Sequence, residues 1–311
     1  MKRTEDMIKD PAIWAGLNKP DLTMKESDIV VFGIPYDGGV SFRAGAKDGP
    51  AALRNITYTI TPTTEFFEDI SALRIHDLGD FTEPNRDDLF TDVENKVCRI
   101  VKEKKFFTMI GGDHSTTIPV LRGINKALNE PFGIIHIDAH FDLCDDINGD
   151  RLSHGCTERR ALELENVTST ENIFFIGIRS IEMDELDFRN KNKIRVIGAH
   201  DCNKLGTSAV AETVKVKLAP FKHIYITIDI DCLDPAYAAG TGTPQFGGLS
   251  SRELLDLLKD LFDLPVIGFD VVEIAPKLDQ SLTSVFAGRK IITECWGHHY
   301  RKMRDRDNFG F

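Results

Sequence analysis

Seven short, mostly apolar runs punctuate this chain, at 29–34, 106–110, 132–137, 173–178, 195–198, 224–228 and 266–269. They do not alternate with polar residues as half-exposed strands do. Strands that are apolar throughout must be buried on both faces, which requires a parallel sheet with helices covering each side. The stretches between the runs carry the matching helix signals. Ser250 and Glu253 form a capping box ahead of Leu254, Leu257, Leu258 and Leu261. Pro119 stands near the start of an amphipathic segment at 115–128, and 282–296 reads as a final helix. The expected class is therefore α/β with a mainly parallel central sheet. No low-complexity linker or internal repeat divides the 311 residues. Residues 1–311 read as one domain, with 1–27 an N-terminal extension packed on it.

Composition narrows the partners. A hydrophobic share of 41% is enough for a large core. A formal net charge of −11 disfavours nucleic acid and anionic membranes and mildly favours cationic ligands. Six scattered cysteines without a Cys-x-x-Cys pair point to a reducing compartment and no disulfide framework. The charged N-terminus has no apolar signal-type stretch, and no run approaches the roughly 20 residues of a membrane span. A soluble, cytoplasmic protein is expected.

Three polar clusters follow three of the apolar runs: Gly111-Gly112-Asp113-His114, Asp138-Ala139-His140-Phe141-Asp142 and Asp229-Ile230-Asp231. Sites in open α/β sheets form at the carboxyl ends of strands. On an extended segment, residues two apart point the same way, so Asp138, His140 and Asp142 are expected to share one cavity. Asp229 and Asp231 are expected to repeat that geometry, with His114 arriving from a third strand. Four carboxylates this close repel by roughly 4 kcal/mol per pair at about 4 Å and an effective dielectric of about 20. Two divalent cations remove the repulsion. Six hard oxygen and imidazole donors exceed the needs of one tetrahedral zinc and suit a pair of Mn-like ions.

In this order and spacing the clusters resemble the ureohydrolase (arginase/agmatinase) family. The resemblance extends to Val31-Phe32-Gly33-Ile34-Pro35-Tyr36-Asp37, Ser153-His154-Gly155, Gly240-Thr241-Gly242-Thr243-Pro244 and Val272-Glu273. It implies a three-layer αβα sandwich, two Mn²⁺ per chain, a homo-oligomer (trimer or hexamer), and hydrolysis of a guanidino group by metal-activated hydroxide. Carried over residue by residue, His114 and Asp142 complete one ion, His140 and Asp231 the other, and Asp138 and Asp229 bridge them. His154 becomes the proton shuttle and Glu273 the carboxylate facing the guanidinium, so that His154, Glu273 and Asp142 form the catalytic set.

The loops bear on substrate. The asparagine that arginases carry soon after the Asp-x-His-x-Asp cluster is missing, since Leu143-Cys144-Asp145-Asp146 follows Asp142. The Gly240–Pro244 loop resembles that of agmatinases. Asp145, Asp146 and Glu158 are expected near the mouth, where they would favour a second cation. Arg159 or Arg160 would instead suit a carboxylate, as in 4-guanidinobutyrate. Agmatine is the first expectation, a guanidino acid the second and arginine the third. A catalytically silent paralogue is disfavoured by the intact residue set, and a one-zinc deacetylase by the ligand number. A formiminoglutamate hydrolase would release formamide in place of urea. Asp113 is expected to orient a ligand histidine, and Asp234 to shape a turn. His136 is read as pointing to the opposite side of its strand. His76, His200, His223, His298 and His299 are read as structural, and 301–307 as a solvated tail or interface.

Overall fold

A computed structural model describes residues 3–309. Eight strands form one sheet: β1 (Ile29–Gly33), β2 (Ile75–Asp80), β3 (Phe106–Ile110), β4 (Gly133–Ile137), β5 (Ile173–Ile176), β6 (Arg195–Ile197), β7 (Ile224–Asp229) and β8 (Val266–Val272). Their order is β2-β1-β3-β8-β7-β4-β5-β6, and every pairing is parallel. Each apolar run in the sequence falls on a strand. β2 has no such run: it lies at a sheet edge and alternates buried with half-buried residues, so it lacks the signature of a doubly covered strand.

Alternate residues of the strands feed two separate cores. Ile29, Val31, Ile226, Ile228, Phe269 and Val271 pack with residues of the helices Gly49–Ile56, Thr207–Leu218, Ser251–Leu261 and Thr283–Phe309. Val30, Phe32, Phe107, Met109 and Tyr225 pack on the opposite face with residues of Arg86–Lys102 and Thr117–Ala127. The result is the three-layer αβα sandwich. The capping box is present, with Ser250 N donating to Glu253 Oε2 at 2.8 Å and Glu253 N to Ser250 Oγ at 3.2 Å. The final helix runs past 296 through the charged 301–307 stretch, where Arg301 pairs with Glu68 at 2.7 Å. The side chains of Arg306 and Asp307 lie outside the described ones. All six cysteines are buried and unpaired. No helix among the described residues is long and apolar enough to cross a membrane.

The N-terminal segment is part of the first core. Met7, Ile13, Trp14 and Leu17 are buried, and the Trp14 ring meets Trp296 edge-on at 5.3 Å. Trp14 Nε1 donates to Asp77 Oδ2 at 2.8 Å. The same carboxylate takes two bonds from Arg54, at 2.8 and 2.9 Å, and Arg54 reaches Asp80 at 2.6 Å. Arg54 and Asp77 are shut away from water, so each depends on the other for its charge. Asp77→Ala is expected to lower stability by about 3–5 kcal/mol in urea unfolding. A loss under about 1 kcal/mol would show that the network is dispensable.

Candidate metal centre

β4 and β7 are neighbours in the sheet, so their carboxyl ends bring two acidic clusters side by side. The clusters are not built on extended backbone as the spacing suggested. β4 stops at Ile137, and Asp142 adopts a left-handed conformation at φ 52°. After Asp229 the chain enters a 3-10 turn, Ile230–Cys232, in which Asp229 Oδ1 accepts from Asp231 N at 2.8 Å. Bent backbone gathers the side chains more tightly than a strand can. A left-handed non-glycine residue costs about 1–3 kcal/mol and persists where its surroundings hold it.

His114 enters from the turn after β3. Gly112 makes this possible, because a Cβ there would lie 1.8 Å from the Tyr36 carbonyl oxygen. His114 Nδ1 lies 3.0 Å from Asp138 Oδ2, 3.0 Å from Asp142 Oδ2 and 3.4 Å from Asp229 Oδ2. Its other nitrogen, Nε2, meets Thr227 Oγ1 at 2.8 Å, and that hydroxyl donates to Asp270 Oδ1 at 2.7 Å. With Thr227's hydrogen on Asp270, its oxygen accepts from Nε2–H, which assigns the lone pair to Nδ1. His140 Nδ1 lies 3.2 Å from Asp231 Oδ2 and 3.5 Å from Asp138 Oδ1. All six expected ligands therefore converge, in two groups that share Asp138.

The donors fit a pair of cations. His114 Nδ1, Asp138 Oδ2, Asp142 Oδ2 and Asp231 Oδ2 are buried without a hydrogen-bond partner, and they face one another. Burial, then the charges of Asp231 and Asp138, hold the Asp229 carboxyl well above the usual carboxylate range. Such a cluster is destabilising until positive charge enters it.

His154 and Glu273 flank the cluster. Glu273 follows β8 in a second left-handed conformation, φ 62°, and is 2% exposed. Its Oε1 accepts from His114 N and faces His154 Nδ1, each at 2.9 Å. The other His154 nitrogen, Nε2, lies 2.8 Å from Ser41 Oγ and 3.0 Å from Ser41 N. Burial opposes a charged His154, but the hydrogen bond and charge of Glu273 outweigh it and carry its pKa up to about 9. Asp113 does not orient a ligand histidine. Its Oδ2 accepts from Gly39 N at 2.6 Å, and its Oδ1 from Ser115 N and Oγ. Gly39 O in turn accepts from His154 N at 3.0 Å and Ser153 Oγ at 2.7 Å. Asp113 thus pins the loop that carries Ser41. Burial, then Glu273, push its carboxyl up to about 7.

A cavity of about 150 Å³ opens onto the cluster, and His140, Asp142, Asp229 and His154 line it. Several mouth residues expected from the sequence are committed elsewhere. Asp145 accepts from Arg160 at 2.7 Å, and Arg159 stacks 4.1 Å over Phe188. Asp146 closes a turn by accepting from Gly149 N. Glu158 is buried against His136 at 3.1 Å. His136 corrects another expectation: it precedes Asp138 by two residues, shares its side of the strand, and lies 3.2 Å from Asp138 Oδ2. Asp234 shapes a turn as expected, accepting from Ala236 N and Gly247 N. His223 pairs with Glu130 and His299 stacks on Phe106. Glu182 and Glu185, which the sequence reading passed over, line the cavity. Asp270, also missed, was visible as a lone carboxylate inside an apolar strand.

Comparison with known proteins places the chain in a family. A profile of the arginase family matches residues 27–297. The proclavaminate amidinohydrolase of Streptomyces clavuligerus is 36% identical over 84% of each chain. Its solved structure superposes with a TM-score of 0.82 at 33% identity, covering 91% of this chain and 94% of that one. The agmatinase of Bacillus subtilis (strain 168) is 34% identical over 87% of this chain and 91% of its own. A guanidinobutyrase of Pseudomonas aeruginosa is 30% identical over 86% and 85%. The chain belongs to the arginase family and is a ureohydrolase.

If the carboxylate cluster is a cation site, adding a divalent ion to chelator-stripped protein raises its melting temperature. At about a hundredfold excess over Kd the gain is about 2.7 kcal/mol. An unchanged melting temperature across Mn²⁺, Zn²⁺ and Mg²⁺ would contradict it.

Proposed function

We propose that this enzyme hydrolyses agmatine to putrescine and urea, with two Mn²⁺ held by His114, Asp138, His140, Asp142, Asp229 and Asp231. The supporting observation is the sign of the cavity wall. Beyond the ligands Asp142 and Asp229, Glu182 and Glu185 line it, and no lysine or arginine does among the described residues. Agmatine carries a guanidinium and an ammonium and no carboxylate, so both ends suit acidic walls. Arg159 and Arg160, the candidates for binding a guanidino acid, are engaged with Phe188 and Asp145.

The bound ions supply the charge that lets a water act as nucleophile near neutral pH. Asp142 and Asp229 reach both the ligand cluster and the cavity wall, so a guanidinium bound in the cavity would lie beside the cluster. Glu273 holds the hydrogen of His154 on Nδ1, and Ser41 faces Nε2. With its pKa raised to about 9, His154 carries a second hydrogen near neutral pH on Nε2, which meets Ser41 Oγ at 2.8 Å, and Nε2 is the atom that gives a proton to the leaving amine. The Glu273 bonds both fall on Oε1, and its charge favours the protonated form of His154 when the amine departs.

Urea release from Mn²⁺-loaded protein with agmatine, 4-guanidinobutyrate and arginine side by side tests the reading. Agmatine should give the highest kcat/KM. Preference for 4-guanidinobutyrate would overturn the charge argument, and no urea from any would overturn the substrate class. His154→Ala should keep both metals and lose about 10²–10⁴ in kcat. Full activity in that variant would remove His154 as the proton carrier.

A further inference from the structure

His136 is fully buried on β4. Its ring lies parallel to that of His114, with centroids 5.2 Å apart and planes 1° apart. Together with Asp138 these two histidines have the spacing of metal ligands. Two contacts show that His136 serves otherwise. Nε2 lies 3.0 Å from the backbone carbonyl of His140. A carbonyl only accepts, so Nε2 carries a hydrogen there and has no lone pair for an ion. Nδ1 is taken up by Glu158 Oε1 at 3.1 Å.

Glu158 is the unusual member. It is a fully buried glutamate on the short Thr157–Ala161 helix, and its Oε2 has no hydrogen-bond partner. Buried carboxylates are costly and rare unless paired. Its one described side-chain partner is a ring that touches Asp138 Oδ2 and the His140 carbonyl. The helix is itself tied to the cluster, because Thr157 Oγ1 donates to the His114 carbonyl at 3.1 Å.

We propose that Glu158 and His136 are a positioning pair beneath the paired-ion centre. Glu158 fixes the ring; the ring fixes Asp138 and the backbone of His140. The inference rests on the reading of Asp138 as the shared ligand. Asp138 meets the Nδ1 atoms of both His114 and His140, and its charge is repelled by the other carboxylates of the cluster. The ring 3.2 Å behind Oδ2 and the His140 amide donating to Oδ1 at 2.7 Å set where its oxygens lie before an ion arrives.

The test is Mn²⁺ titration of chelator-stripped protein, with metal-free melting curves as the folding control. His136→Phe and Glu158→Leu should each weaken Mn²⁺ binding by about 10–100-fold, with two ions still bound at saturation. Glu158→Gln keeps an oxygen that accepts from Nδ1 and should bind far closer to wild type than Glu158→Leu does. Unchanged affinity in folded His136→Phe would overturn the pair. So would a drop to one ion in His136→Phe with normal binding in Glu158→Leu, which would make the ring a ligand. If His136→Phe does not fold, the two Glu158 variants decide, and equal affinities would overturn the proposal. Wild-type protein that takes up no Mn²⁺ would instead remove the paired-ion reading itself, and this pair's purpose with it.

Discussion

Four buried carboxylates are pressed together with two imidazoles where β4 and β7 end, each carboxylate against charges of its own sign. Like charges at such distances cost several kcal/mol per pair even at an effective dielectric of about 20. Contacts with His114, His136 and His140 offset only part of that cost. The backbone meets it with left-handed Asp142 and Glu273, and the parallel sheet meets it with rigidity, since β7 and β4 are each held by strands on both sides. The fold supplies an edge stiff enough to keep mutually repelling groups in register, and positive charge completes it.

Around that edge the supporting contacts are arranged in chains. His114 is backed by Thr227 and Asp270, and Asp270 also accepts from Tyr225 and Thr117 at 2.8 and 2.9 Å. His154 is backed by Glu273 on one side and by the Ser41 loop on the other, and Asp113 anchors that loop through Gly39. Each such contact fixes which nitrogen of a ring carries its hydrogen, and so which atom is left for chemistry. Arg43 adds a further tie, donating to the carbonyls of Thr241 and Gly242 across the mouth.

Much of this was legible in the sequence, because continuous burial leaves continuous apolar runs. β1 and β3 to β8 showed themselves in that way. β2 did not, since its sequence Ile75-His76-Asp77-Leu78-Gly79-Asp80 mixes apolar with polar residues, and Asp77 and Asp80 are taken by Arg54. The six candidate ligands stand out in the sequence by type and spacing, and the structure brings them together, but turns and not extended backbone carry Asp142 and Asp231 inward. The loop charges were the least legible. Asp145, Asp146, Glu158, Arg159 and Arg160 all looked available, and each is committed to a partner that lies far along the chain or across a turn. His136 lies on the ligand side and not the opposite one, because its offset from Asp138 is two residues.

The paired-ion centre is tested most directly by anomalous diffraction at the manganese edge from crystals of Mn²⁺-loaded protein. The expected result is two peaks about 3.5–4 Å apart, one beside His114 and Asp142 and the other beside His140 and Asp231, with Asp138 between them. A single peak, or none within the cluster, would contradict it.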